Sequence, residues 1–118
     1  MKLLLALIMG LAPLATISGG ERFACNLKAL SSSERARHEK LTRTLLSTVQ
    51  GHSELANGYA FRFPAGTLMT VAEWVALEHR CCPFFTFAIE QAADEGPLEL
   101  RVTGSKGVKA FIKDEFGL

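Results

Sequence analysis

The sequence predicts a two-layer α/β sandwich, a mixed four-stranded sheet with helices on one face, in the order β-α-β-α-β-β-α. Three observations lead there. Strand-like segments alternate apolar and polar residues, as a sheet covered on one side requires; a sheet buried on both faces would show unbroken apolar runs. Two segments with helical apolar spacing contain Ser or Thr followed three residues later by Glu, the signature of a capping box. No repeat, low-complexity tract or long linker divides a chain of one-domain length.

The elements follow in order. Phe23, Cys25 and Leu27 alternate with Ala24, Asn26 and Lys28, the period of a strand. Ser31 with Glu34 opens a helix that carries Leu41, Leu45, Leu46 and Val49 on one face and stops at Gly51. Tyr59, Phe61 and Phe63 alternate with Ala60 and Arg62 as a second strand, broken by Pro64 and Gly66. Thr70 with Glu73 opens a second helix with Val71, Trp74, Val75, Leu77 and Cys81 as its stripe. Pro83 ends it, because the residue before a proline is pushed out of helical geometry. Phe85, Phe87 and Ile89, then Leu98, Leu100 and Val102, form a hairpin across the polar loop from Ala92 to Pro97. A last helix starts near Ser105, turns Val108, Phe111, Ile112 and Phe116 inward, and ends at Gly117.

Ahead of this body, Lys2 is the only charge before Glu21, and the run from Leu3 to Leu14 is nearly all apolar. Thr16, Ser18, Gly19 and Gly20 follow. This is the layout of a secretory signal peptide, with cleavage expected after Ser18 or Gly20. The apolar run is shorter than the roughly 20 residues of a membrane helix. Residues 1–20 are therefore read as a signal peptide and residues 21–118 as a single α/β domain. The location is periplasmic or secreted if the leader is used and cytoplasmic otherwise, with membrane contact only through an uncleaved leader.

Charge narrows the partners. The chain has a formal net charge of +1, and removing the leader takes Lys2 with it, leaving basic and acidic side chains in balance. Such a body has no field to draw in nucleic acid or anionic lipid. A hydrophobic share of 48% excludes a disordered chain. No phosphate loop is present, since Gly104-Ser105-Lys106-Gly107 lacks the Walker spacing. Neither a His-Glu-x-x-His zinc motif nor a serine in a small-residue elbow occurs.

One segment is dense in reactive side chains: Glu78-His79-Arg80-Cys81-Cys82-Pro83. Adjacent cysteines offer two soft sulfur ligands, and thiolates select Cu(I), Zn(II) and, by the same softness, Hg(II) or As(III). Cys25 becomes a third sulfur if its segment lies beside the chain after Pro83. His79 lies three residues before Cys82 and Glu78 four before it, so each shares a helical face with that cysteine. Against activated thiols stands their place at a helix C-terminus, whose partial negative charge disfavours thiolate. The cysteines also have a bland reading as small core hydrophobes, and in an exported protein two of the three would form a disulfide and leave one over. His38 and His52 read as solvated and Trp74 as core.

At Glu78 to Phe87, EHRCCPFFTF, the chain resembles a family of small uncharacterised bacterial proteins marked by an Arg-x-Cys-Cys-Pro-Phe-like segment. The likeness extends to Ala24-Cys25-Asn26-Leu27, to Gly58-Tyr59-Ala60-Phe61-Arg62-Phe63 and to Gly104 through Phe111, and spans roughly Phe23 to Phe116. The resemblance implies company with heavy-metal resistance functions and carries no catalytic residues. Two departures stand out: Arg80 directly precedes the first cysteine of the pair, and the leader is not part of the family pattern.

The reading that follows is a non-catalytic binding protein for a soft metal ion or metalloid. Its expected metal ligands are Cys25, Cys81, Cys82 and His79, and the thiophilic ion serves as ligand or cofactor. The alternatives are a thiol-dependent redox enzyme and a structural or interaction module with packed cysteines. No protein partner is identified by the sequence.

Overall fold

The computed structural model describes residues 23–118, so the leader assigned to residues 1–20 lies outside the described residues. A single 3-10 turn, Leu27–Ala29, precedes α1 (Ser32–Thr48). Then come β1 (Gly51–Leu55), β2 (Gly58–Phe63), α2 (Leu68–Cys81), β3 (Thr86–Gln91), β4 (Leu98–Thr103) and α3 (Val108–Glu115). Four strands lie in the order β1-β2-β4-β3, and every neighbouring pair is antiparallel. β4 thus sits between β2 and β3, which α2 connects.

Among the described residues the α/β class, the four-stranded sheet and the three helices match the expectation; the mixed sheet does not. The expected first strand, Phe23 to Leu27, forms no ladder. Asn26 instead accepts the Lys28 N–H on its side-chain oxygen and starts the 3-10 turn, a local bond that competes with strand pairing. Its place at the sheet is taken by β1, which folds back on β2 across Ala56-Asn57 with Leu55 opposite Gly58. A strand delivered by a hairpin runs antiparallel, and the mixed character disappears with it.

One face of the sheet carries the core. Tyr59, Phe61 and Phe63 stand opposite Val102, Leu100 and Leu98, and on the other flank Phe87 and Ile89 stand opposite Val102 and Leu100. These side chains meet Val71 and Trp74 of α2, and Val108 and Ile112 of α3, in one cluster. The outer face carries Arg62, Glu90, Glu99 and Arg101, and Arg101 pairs there with Glu99. Gly58 is required where β2 meets β4, because a Cβ there would sit 2.0 Å from the Val102 carbonyl oxygen.

The helix starts differ in detail. The box at Ser31 forms as expected: the Glu34 N–H donates to Ser31 Oγ, and the Ser31 N–H donates to Glu34 Oε1. The one expected at Thr70 does not, since the cap of α2 falls three residues earlier, at Thr67, whose Oγ1 donates to the Pro64 carbonyl. Glu73 is thereby free to take Arg37 of α1 in a two-pronged pair, each bond 2.7 Å. α3 starts at Val108 instead of Ser105, after Gly107 turns the chain at φ +94°.

Candidate functional site

α1 packs along α2, and the irregular segment before α1 crosses the C-terminal end of α2. The Asn26 N–H donates to the Cys81 carbonyl at 2.7 Å. The Arg80 guanidinium bonds the Ala29 carbonyl at 2.9 Å and the Glu34 carboxylate at 2.5 Å. These contacts explain why Cys25 and Cys82, 57 positions apart, come together: their Cα atoms lie 4.6 Å apart and their sulfurs form a disulfide. Cys82 is fully buried and Cys25 half-buried.

The adjacent cysteines therefore part company. Cys82 caps α2 and turns toward Cys25, whereas Cys81 stays in the last helical turn as a free, buried thiol. The Cys81 Sγ lies 3.5 Å from the carbonyl oxygens of both Leu77 and Glu78.

Glu78 lies between the two sulfur positions. It is the one charged side chain in the core among the described residues. Its Oε1 is 2.7 Å from His38 Nε2 and 3.9 Å from Cys81 Sγ, while its Oε2 is 3.7 Å from Cys82 Sγ. Cys82 carries no S–H in the disulfide, so that last approach is a contact and not a hydrogen bond. Two groups of donor atoms share the carboxylate: Cys25, Glu78 and Cys82 on one side, His38, Glu78 and Cys81 on the other, each within 4.8 Å.

Burial pushes the Glu78 carboxyl above its ordinary range, and the hydrogen bond and charge of His38 pull it part of the way back. Burial also pushes the Cys81 thiol up, and the neighbouring carboxylate adds to that. Cys81 is in consequence a poor nucleophile in the folded chain.

His38, which the sequence reads as solvated, is instead enclosed between α1 and α2. Its side chain is only 13% exposed, and its ring stacks on Trp74 at a centroid distance of 6.1 Å. Thr42 Oγ1 donates to the His38 carbonyl and accepts the Trp74 indole N–H, tying α1 to α2 at the site. A sequence signal existed: His38, Leu41 and Leu45 follow each other at helical spacing on the face that α1 buries. His79, by contrast, is exposed with its ring against Phe87, and it belongs to neither donor group. His52 is exposed, as expected.

The chemistry depends on oxidation state. In the disulfide, neither Cys25 nor Cys82 offers a thiolate. With the bond in place, the two sulfurs and a Glu78 oxygen lie within 4.8 Å of one another, close to the largest separation, about 4.6 Å, of two atoms each about 2.3 Å from one ion. Comparisons with family models, curated proteins and solved structures find no match to this chain. No helix among the described residues is long and apolar enough to cross a membrane.

Proposed function

We propose that the reduced protein binds a thiophilic metal ion or metalloid and catalyses no reaction. Cys25, Cys82 and Glu78 form the ligand set, and Cys81 with His38 stands behind the second carboxylate oxygen. The observation that supports this is the buried Glu78, shared by two groups of soft and borderline donors drawn from three separate chain segments. A purely structural disulfide needs no carboxylate beside it; His38 offsets the cost of burying this one through its first oxygen, and the second oxygen faces the Cys82 sulfur. Thiolates select Cu(I), Zn(II), Hg(II) and As(III).

The test is a titration of the dithiol form with each of these ions, the reductant having been removed. One equivalent should bind. Cys25→Ser and Cys82→Ser should abolish tight binding, Glu78→Gln should weaken it, and His79→Ala should leave it unchanged. Binding by either serine variant as tight as that of wild type would end the proposal.

The disulfide favours a second reading, thiol–disulfide oxidoreduction. It predicts that the protein accelerates reduction of a model protein disulfide, and that Cys82→Ser abolishes the acceleration. The place of Cys82 at a helix C-terminus, where thiolate is disfavoured, ranks this reading second.

A further inference from the structure

We propose that the Cys25–Cys82 bond is opened by thiol exchange at Cys25, the attacking reductant being a small monothiol, and that this attack opens the ion site. The second half of the proposal rests on the ion-binding reading above; the first does not.

Access decides which sulfur is attacked. A thiolate adds to a disulfide sulfur through a mixed disulfide, and approach to that sulfur controls the outcome. Cys82 is completely buried. The Glu78 Oε2 lies 3.7 Å from its sulfur, and the buried Phe85 follows three residues on, its N–H bonded to the Cys82 carbonyl. An incoming anion would have to cross the core and meet a carboxylate. Cys25 lies in irregular chain between the exposed residues Ala24 and Asn26 and is itself partly open to solvent. Cys81 does not compete, since its thiol is buried against the carbonyls of Leu77 and Glu78.

The step balances without any further reagent. The external thiol RSH gives up its proton and forms an S–S bond to Cys25; the Cys25–Cys82 bond breaks, and Cys82 takes up that proton as it leaves, ending as a thiol. A second RSH then attacks the external sulfur of the mixed disulfide. It releases RSSR and leaves Cys25 as a thiol. Two monothiols are oxidised and one protein disulfide is reduced.

The segment holding Cys25 does not depend on the disulfide alone. The Asn26 N–H donates to the Cys81 carbonyl, Arg80 to the Ala29 carbonyl, and Arg35 to the Leu30 carbonyl at 3.2 Å. The Phe23 ring lies 5.1 Å from that of Phe84 and 6.4 Å from that of Phe111. After reduction these contacts keep the Cys25 thiol beside Cys82 and Glu78, so the donor group survives the loss of the bond that formed it.

The experiment uses the oxidised chain, glutathione as the probe and no metal. The reaction is quenched with acid and N-ethylmaleimide, and the adducts are located by peptide mass spectrometry. Cleavage after Lys28 and Arg80 separates Cys25 from the adjacent pair, and fragmentation between Cys81 and Cys82 separates those two. The expected result is glutathione on Cys25 with maleimide on Cys82. Glutathione on Cys82 or Cys81 would overturn the proposal, as would a bond that opens only after urea is added. Because no ion is present, failure of ion binding leaves this result standing. Conversely, ion binding by phosphine-reduced protein together with glutathione on Cys82 would remove the attack at Cys25 and spare the ion site.

Discussion

Removing the Cys25–Cys82 bond should cost the fold about 4 kcal/mol. The bond joins residues 57 positions apart. In the chain-entropy treatment, closing a loop of that length removes about 14 cal/mol/K from the unfolded ensemble, or about 4 kcal/mol at 25 °C. A small domain has roughly 5–15 kcal/mol in total, so the reduced protein should be folded with little margin. Cys25→Ala is the cleaner perturbation, because Cys25 is partly exposed whereas a truncation at the fully buried Cys82 adds a cavity. Urea unfolding should show the midpoint falling by about 2–4 M for a slope of about 1–2 kcal/mol/M. Thermal unfolding should fall by roughly 15–30 °C. Dithiothreitol should shift wild type by the same amount and leave Cys25→Ala unmoved. A loss below about 1 kcal/mol in both wild type and variant would refute the reasoning, because it would show that the cross-link does not constrain the unfolded chain.

Glu78 holds its proton to higher pH in the folded than in the unfolded chain, so the folded state binds more protons between the two values. Stability should therefore decline as pH rises from about 4.5 through the raised folded value, and Glu78→Gln should flatten that decline in denaturation measured from pH 4 to 8. Gly58→Ala should destabilise by about 3 kcal/mol or more, since its Cβ would meet the Val102 carbonyl at 2.0 Å and the Thr103 Cα at 2.8 Å with backbone on both counts. Cys81 in the oxidised protein should resist iodoacetamide at pH 7.5 and react promptly once urea is added; its burial and raised pKa both oppose the thiolate.

The legible parts of the fold were those in which one periodicity dominates. Leu98, Leu100 and Val102 alternate cleanly and are fully or nearly buried in β4, and the Ser31–Glu34 box opens α1 where the spacing puts it. β1 gave no such signal: Gly51-His52-Ser53-Glu54-Leu55 is an edge strand with exposed side chains, held by backbone bonds to β2 and by a Lys109–Glu54 ion pair. Its one local clue was Asn57-Gly58, a strong turn dipeptide between extended segments. Phe23 to Leu27 gave the opposite error, alternation without a sheet, because the Asn26 side chain and the tether to Cys82 govern that segment. At the site, the nearness of Glu78 to Cys82 was readable as helical spacing of four residues. Which sulfur Cys25 would meet was not, since it depends on how the chain before α1 crosses α2. His38 reads as solvated from the sequence because its partner lies 40 residues away, on another helix.

If the proposal holds, a dithiol formed by Cys25 and Cys82 beside Glu78 captures a thiophilic ion. Arsenite tests it most directly, because a stable As(III) complex needs more than one sulfur, which the lone thiol of the oxidised protein does not provide. One equivalent should be bound by the reduced chain, none by the oxidised chain and none by Cys25→Ser. Equal uptake by the oxidised and reduced chains, or no uptake by either, would contradict it.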